Sequence, residues 1–178
     1  MNVIEANKFR WKGQVENPER IAQFRFVKAK RKCEKWRDKN RVLFLLYRFI
    51  YEHYKIKYNT DIPAGCKIGK GFKIRHLGGI VFNPNVVIGN NVDCLNGVLL
   101  GKIDSGKKAG TPTIGNNVFL GTNSVIVGNV SIGNHVIIAP GAYVNFDVPS
   151  NSIVIGNPGS VIYGKNTAEE YIESPVPF

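Results

Sequence analysis

Residues 114–148 decide the fold, and they read IGNNVF LGTNSV IVGNVS IGNHVI IAPGAY VNFDV. An aliphatic residue opens each block of six: Ile114, Leu120, Ile126, Ile132, Ile138 and Val144. Four residues later comes a Val or a small residue: Val118, Ser124, Val130, Val136, Ala142 and Val148. A period of six fits neither a helix nor an alternating hairpin sheet. It is typical of repeat architectures, in which each unit buries its apolar side against its neighbours.

The six-residue period predicts an all-β fold, a three-sided parallel β-helix. Each hexapeptide forms one short strand and one corner, and about 18 residues make a coil that stacks at the strand spacing. The pattern continues backwards to Ile62, with a slip of two residues near Ile80. It breaks at residues 102–111, KIDSGKKAGT, which we expect to protrude as a loop. The period leaves the hand of the coil open, and inward Cys66 and Cys94 are expected to be core residues.

Charge divides the chain into unlike pieces. The whole chain has 178 residues and a net charge of +11, but residues 1–60 carry 16 Lys and Arg against 6 Asp and Glu. All glycines except Gly13 follow residue 60. We therefore expect a basic helical N-terminal segment at 1–60, the β-helix domain at 61–162 and a C-terminal tail at 163–178.

Two stretches of the first piece are predicted to be helical. Asn17-Pro18-Glu19 is a helix start signal. Residues 41–54 are apolar around much of the helix, so the subunit itself, a partner subunit or a membrane interface must cover them. The basic run at 28–41 is either a solvated face or a surface for anionic lipid or an acidic polymer, which makes peripheral membrane contact through 28–57 an open alternative. No nucleic-acid-binding motif accompanies it.

Several protein classes are excluded by composition. No apolar run approaches the ~20 residues of a membrane-spanning helix. The start, MNVIEANKFRWKG, lacks the apolar core of a signal peptide. Three cysteines without zinc spacing favour a reducing compartment and no metal. We therefore expect a cytoplasmic protein, with the inner membrane face as the alternative.

Histidine is the residue type that suits a general base near neutral pH, and the chain has 3. His53 lies in the helical piece, and His135 lies at an outward position of its repeat. His76 lies outside the core positions, and Asp61 precedes it by slightly less than one coil. An Asp at that distance is able to orient an imidazole, although it is equally suited to cap a turn. The Gly78-Gly79 corner is a candidate for the backbone donors of an oxyanion hole.

From residue 61 to residue 162 the chain resembles the hexapeptide-repeat acyltransferases, particularly the serine acetyltransferase branch. The resemblance rests on DIPAGCKIGKGFKIRHLGGIV at 61–81 and on GNPGSVI at 156–162. It implies a left-handed β-helix, a homotrimer, acetyl-CoA as donor, and an active site between subunits that the loop at 102–111 helps to wall. It also implies that His76 is the catalytic base and Asp61 its partner. Positions matching the cofactor groove are Gly101, Gly121, Thr122, Ala139 and Pro140, with Lys165 as a candidate for the CoA phosphates.

Two departures from that branch put serine in doubt as the acceptor. Arg75 stands where the branch has Asp, and Thr111 stands where it has His. We expect both to bind the substrate, with an outward Arg75 paired to Asp93 as the alternative. The short basic lead and the stretch RHLGGIVFNP look like bacterial capsule and exopolysaccharide O-acetyltransferases. The prediction is therefore an O-acetyltransferase acting on a sugar or polysaccharide intermediate.

Two rival functions remain open. One is a serine O-acetyltransferase, and the other is a non-catalytic trimeric β-helix scaffold, which would bind no CoA. A metal-dependent hydratase on the same fold needs converging histidines. The interval between His76 and His135 is not a multiple of the coil length, which argues against it.

Overall fold

The computed structural model describes residues 1–164, 168 and 170–177. Helices come first: α1 (Val3–Phe9), a 3-10 turn at Pro18–Arg20, α2 (Ala22–Trp36) and α3 (Arg41–Lys57). Asparagine side chains cap three of these starts. Asn2 forms a capping box with Glu5, Asn17 accepts from the Glu19 amide, and Asn40 accepts from the Leu43 amide. The sequence analysis did not predict α1.

Short strands follow in three sheets, which form the three faces of a β-helix. Face 1 contains β1 (Thr60–Asp61), β4 (Ile80–Phe82), β7 (Leu99–Gly101), β10 (Val125–Val127) and β13 (Tyr143–Val144). Face 2 contains β2 (Lys67–Ile68), β5 (Val87–Ile88), β8 (Thr113–Ile114) and β11 (Ser131–Ile132). Face 3 contains β3 (Lys73–Ile74), β6 (Asp93–Cys94), β9 (Phe119–Leu120), β12 (Ile137–Ile138), β14 (Ser152–Ile155) and β15 (Ser160–Tyr163). Pairing is parallel throughout these strands, except that β14 and β15 are antiparallel.

The strand register accounts for the slip in the repeat. Val81 pairs with Leu99 in the next coil, which is a regular coil of three hexapeptides. The preceding coil is slightly longer, from Asp61 to its partner Val81. The extra length falls in β4, where Ile80 and Phe82 both point inward.

The break in the repeat is also explained by the register. The coil that holds residues 102–111 is the longest one, because Val87 pairs with Thr113 across the whole insertion. Outside these irregular places, the first residues of the hexapeptides fill the core. They are at most 9% exposed: Ile68, Ile74, Phe82, Ile88, Cys94, Leu100, Ile114, Leu120, Ile126, Ile132, Ile138 and Val144.

Side chains of the helical segment cap the first coil. Each coil donates its N–H groups to the next one, as Gly69 does to the Ile88 carbonyl, so the carbonyls of the first coil lack a coil partner. Lys30 donates to the Cys66 carbonyl (2.8 Å), Arg31 to those of Ile68 (2.7 Å) and Gly69 (2.5 Å), and Tyr51 to that of Ile62 (2.6 Å). Further donors are Asn7, Arg10 and Arg37. Lys30 and Arg31 are buried, so the solvated face predicted for the basic run is wrong at these positions.

The inner side of α3 packs on its own subunit, and its outer side is uncovered. Phe44, Tyr47, Ile50 and Tyr54 contact the core, and Tyr51 is fully buried in it. Within the part of the chain that the structure describes, no helix is long and apolar enough to cross a bilayer.

The chain's two ends cover face 3. Ala168 and Ile172 of the C-terminal tail pack on Phe119 and Ile137. The Asn91 side chain bonds both the amide and the carbonyl of Val176. Beneath the tail lies a buried ion cluster. Asp93 accepts from Arg10 (2.5 Å) and from Arg75 (2.6 Å), beside buried Lys73.

Candidate active site

His76 lies on the corner between face 3 and face 1, and its side chain is exposed. We call this edge of the β-helix the His76 corner. Gly78 and Gly79 make the turn with φ of 108° and 67°, angles that side-chain-bearing residues rarely adopt. Both of their N–H groups are engaged. Gly78 donates to the Thr60 hydroxyl (3.2 Å), and Gly79 donates to the Asn59 carbonyl (2.6 Å). The predicted oxyanion role of this corner is therefore not supported.

Asp61 has a different partner from the predicted one. It lies in β1 on face 1, and its carboxylate accepts from Lys55 (2.8 Å). Although partial burial opposes it, hydrogen bonds to Asp61 and Glu52 raise the pKa of Lys55. Among the described residues, no hydrogen bond or ion pair joins Asp61 to His76. The structure thus leaves the His76 ring open to the surface and ties Asp61 to α3.

Four of the predicted cofactor residues share the corner with His76. The amide of Arg75 donates to the Cys94 carbonyl, that of Leu95 to Leu120, and that of Gly121 to Ile138. Successive coils therefore stack the same corner. It carries four of the predicted residues: Gly121, Thr122, Ala139 and Pro140.

Asn96 belongs to the same column, and the sequence analysis missed it. Its side chain accepts from the Thr122 hydroxyl (3.2 Å). The signal for it was the coil length, because Asn96 lies one of the slightly longer coils after His76. Gly121 has a structural reason of its own, since a Cβ there would lie 2.5 Å from the Pro140 nitrogen.

Gly101, Thr111 and the loop at 102–111 lie on the opposite edge of face 1, which we call the loop corner. Gly101 ends β7, and the Thr111 hydroxyl donates to the Asn85 carbonyl (3.3 Å). Ile103 and Gly110 pair across the base of the loop (3.0 and 2.8 Å). The predicted site is thus split between two edges of one chain, so the edges meet only if they belong to different subunits.

Arg75 points away from the His76 corner and into face 3. Its guanidinium pairs with Asp93 and also donates to the Tyr171 carbonyl. This is the alternative that the sequence left open, and it corrects the expectation that Arg75 binds the acceptor. Lys165, predicted to meet the CoA phosphates, lies outside the described residues.

Thiol and metal chemistry find no support at this site. Burial raises the pKa of the Cys66 thiol to about 11, and burial also raises the pKa of Cys94. Both side chains belong to the core. In the described ranges, no group of three or more His, Cys, Asp or Glu side chains is arranged to hold a metal ion.

Comparison with known proteins identifies relatives of the repeat. Residues 111–145 match the family described as "Bacterial transferase hexapeptide (six repeats)". WcaB of Escherichia coli (strain K12), whose name assigns it to colanic acid biosynthesis as a putative acetyltransferase, is 36% identical over 136 residues. That match covers 72% of this chain and 82% of WcaB. Serine acetyltransferase 1 of Arabidopsis thaliana is 36% identical over 142 residues, or 79% of this chain and 44% of that protein.

The chain spans less than half the length of the serine acetyltransferases that it matches in plants and in Synechococcus elongatus. Among solved structures, the serine acetyltransferase of Neisseria gonorrhoeae in complex with serine gives a TM-score of 0.74 at 29% identity. The match covers 90% of this chain and 67% of that one. The enzyme from Vibrio cholerae gives 0.79 at 22% identity, over 99% and 70%, which is a likeness of fold.

Proposed function

Because the chain belongs to the hexapeptide-repeat family of bacterial transferases, we propose that it is an acetyl-CoA-dependent O-acetyltransferase whose acceptor is a hydroxyl of a sugar or polysaccharide intermediate. The observation that carries the proposal is the shared edge of exposed His76 with Gly121, Thr122, Ala139 and Pro140. A base and a groove for the donor are needed on the same edge.

His76 is proposed to act as the general base. The acceptor hydroxyl gives its proton to the neutral imidazole while its oxygen attacks the thioester carbonyl. The tetrahedral intermediate then collapses, the C–S bond breaks, and the imidazolium returns the proton to the departing CoA thiolate. Asp61 is proposed to orient the imidazole, which requires its carboxylate to leave Lys55, an ion pair largely open to solvent.

A homotrimer with left-handed coils is part of this proposal. Faces 2 and 3 are polar or covered, whereas face 1 presents an uncovered column of side chains. Its registered outward positions are Asp61, Val81, Leu99, Val125 and Tyr143. A trimer that buries face 1 brings the His76 corner of one subunit toward the loop corner of its neighbour, which supports a shared site.

The choice of acceptor rests on the relatives and on the site. This chain covers 82% of WcaB but 44% of the first plant serine acetyltransferase. A serine acceptor presents an ammonium group, for which a carboxylate is the favourable partner. Position 75 offers a guanidinium that is itself held by Asp93. Thr111 leaves room at the loop corner for a bulkier acceptor.

Serine O-acetylation is the second candidate, favoured by the 36% identity to the plant enzyme. The purified chain is given acetyl-CoA with L-serine, nucleotide sugars or acidic oligosaccharides in turn, and release of the CoA thiol is followed. We expect kcat/KM for a carbohydrate to exceed that for L-serine by about 10²-fold. Efficient turnover of serine would favour the second candidate, and a chain that binds no acetyl-CoA would be a scaffold.

A further inference from the structure

The outer side of α3 is an apolar stripe that nothing in the described part of the subunit covers. Its exposed side chains recur at helical spacing: Val42 (76% exposed), Leu45 (55%), Leu46 (51%), Phe49 (75%) and Ile56 (84%). Residues separated by three, four and seven positions lie on one side of a helix. We call this surface the α3 stripe. Large exposed apolar side chains scattered singly are ordinary, but a continuous row along one helix marks a surface that contacts something.

The surroundings of the α3 stripe are basic. Exposed cations on α3 and at the end of α2 flank it: Lys35, Lys39, Arg41, Arg48 and Lys57. The acidic groups nearby are Asp38, which is exposed, and Glu52, which pairs with Arg48 (2.7 Å) and Lys55 (3.1 Å). Other cations of this segment are committed elsewhere, since Lys30 and Arg31 cap the first coil. The excess of flanking cations over acids therefore serves no capping of the coil.

We propose that the α3 stripe is a docking surface for an anionic lipid bilayer, on which α3 lies flat with its apolar row in the interface. An apolar row with cations beside it is the arrangement that binds such a surface. Charge favours lipid over a second copy of the chain. Face-to-face contact between two stripes would bring like charges together, because residues 1–60 carry 16 Lys and Arg against 6 Asp and Glu.

The position of α3 makes this contact geometrically simple. The hydroxyl of Tyr51, on the inner side of α3, donates to the Ile62 carbonyl in the first coil (2.6 Å). The stripe lies on the opposite side of the helix, so it faces away from the β-helix. Docking there leaves the His76 corner and the loop corner uncovered. The inference goes beyond the proposed function, and neither depends on the other.

The test measures co-sedimentation of the full chain with lipid vesicles. Phosphatidylcholine vesicles are compared with vesicles that also contain phosphatidylglycerol. We expect binding that requires the anionic lipid and weakens with salt. The variant Leu45→Ser/Phe49→Ser is expected to lower the partition coefficient about tenfold or more, because it removes two large apolar side chains from the interface. Arg41→Gln/Lys57→Gln is expected to weaken binding to the anionic vesicles only.

Matched controls lie on face 2, where Val87 is 39% exposed and Lys67 is exposed. Val87→Ser and Lys67→Gln are expected to bind vesicles as the wild type does. Circular dichroism and light scattering on every variant report folding and particle mass. Absence of binding to anionic vesicles would overturn the proposal, as would equal binding by the stripe variant. A particle mass that halves in Leu45→Ser/Phe49→Ser would assign the stripe to a second copy, which also overturns it.

Discussion

At the scale of the residue, His76 is the group whose loss has the clearest chemical consequence. It is exposed beside a glycine turn, so Ala should fit there without disturbing the coil. We expect His76→Ala to lower kcat by about 10²–10⁴-fold, the usual contribution of a general base. Binding of acetyl-CoA should be kept, since the proposed donor groove lies on later coils.

The measurement for His76 is release of the CoA thiol, together with calorimetric titration of acetyl-CoA. His53→Ala is the matched control, because His53 is exposed on α3, away from both corners. Asp61→Asn is expected to cost less than His76→Ala, since an orienting group transfers no proton. Near wild-type turnover in His76→Ala with the true acceptor would disprove the assignment.

A buried lysine makes the second residue-scale prediction. Burial lowers the pKa of Lys73 from 10.5 to about 8. Between these values the unfolded chain binds more protons than the folded chain, so Lys73 makes the folded state more stable as the pH rises. At neutral pH the charged form is a cost, at about 1.4 kcal/mol per pKa unit. We expect Lys73→Met to raise the free energy of unfolding at pH 7 by about 1–3 kcal/mol.

The gain from Lys73→Met should shrink as the pH approaches 10. Burial raises the pKa of Cys33 and Cys66 to about 11, which makes the folded state less stable over the same range. The difference between variant and wild type isolates the lysine. Urea unfolding at pH 7 and pH 10, at one protein concentration, measures it, and Lys67→Met at an exposed position is the control. A gain that is equal at both pH values would contradict the prediction.

At the scale of the element, the helical segment protects the open edge of the β-helix. An unpaired row of strand carbonyls costs free energy and invites association with other chains. Arg31 alone donates to the Ile68 and Gly69 carbonyls and also to Glu34 (3.0 Å). We expect Arg31→Ala to lower the free energy of unfolding by about 2–4 kcal/mol, because each buried carbonyl left unpaired costs about 1–3 kcal/mol.

Urea unfolding also measures the Arg31 effect. Lys35→Ala is the matched control, because Lys35 is an exposed cation on the same helix. A control that loses as much stability as Arg31→Ala would mean that general charge, and not edge capping, explains the basic run.

The elements differ in how far the sequence predicts them. The six-residue period is set by packing inside the coil, so it predicts the parallel β-helix and locates the irregularity at Ile80. The cations of α2 carry no such signal, because a sequence does not say whether a lysine meets water or a carbonyl of another element. α1 is only seven residues long, and the capping box at Asn2 and Glu5 was its one mark.

The candidate site was predictable in part for the same reason. Coil length fixes which residues stack, so His76, Thr122 and Pro140 fall on one corner. Which charged groups pair across elements is decided by tertiary packing. Arg75 turns to Asp93, and Asp61 turns to Lys55, over distances along the chain that no local pattern encodes.

At the scale of the whole molecule, the three faces have different fates. Face 3 is covered by the chain's own ends, through Arg10 and the tail at Ile172. Face 2 presents mostly polar outward side chains and suits water. Face 1 carries apolar side chains that neither end covers, among them Val81, which is 44% exposed. The split site lies on the two edges of this same face, so assembly and catalysis should be lost together.

The last prediction tests that link. Val125 lies in the middle of the outward column of face 1, paired with Leu99 and Tyr143. We expect Val125→Glu to convert a trimer into monomers, because a carboxylate buried without a partner costs more than the interface gains at that point. Light scattering measures the mass, and acetyl transfer should fall with it, since the His76 corner then lacks the neighbour's loop corner. Val87→Glu on face 2 should stay trimeric and active. A wild-type monomer, or an active trimer of Val125→Glu, would separate catalysis from face 1.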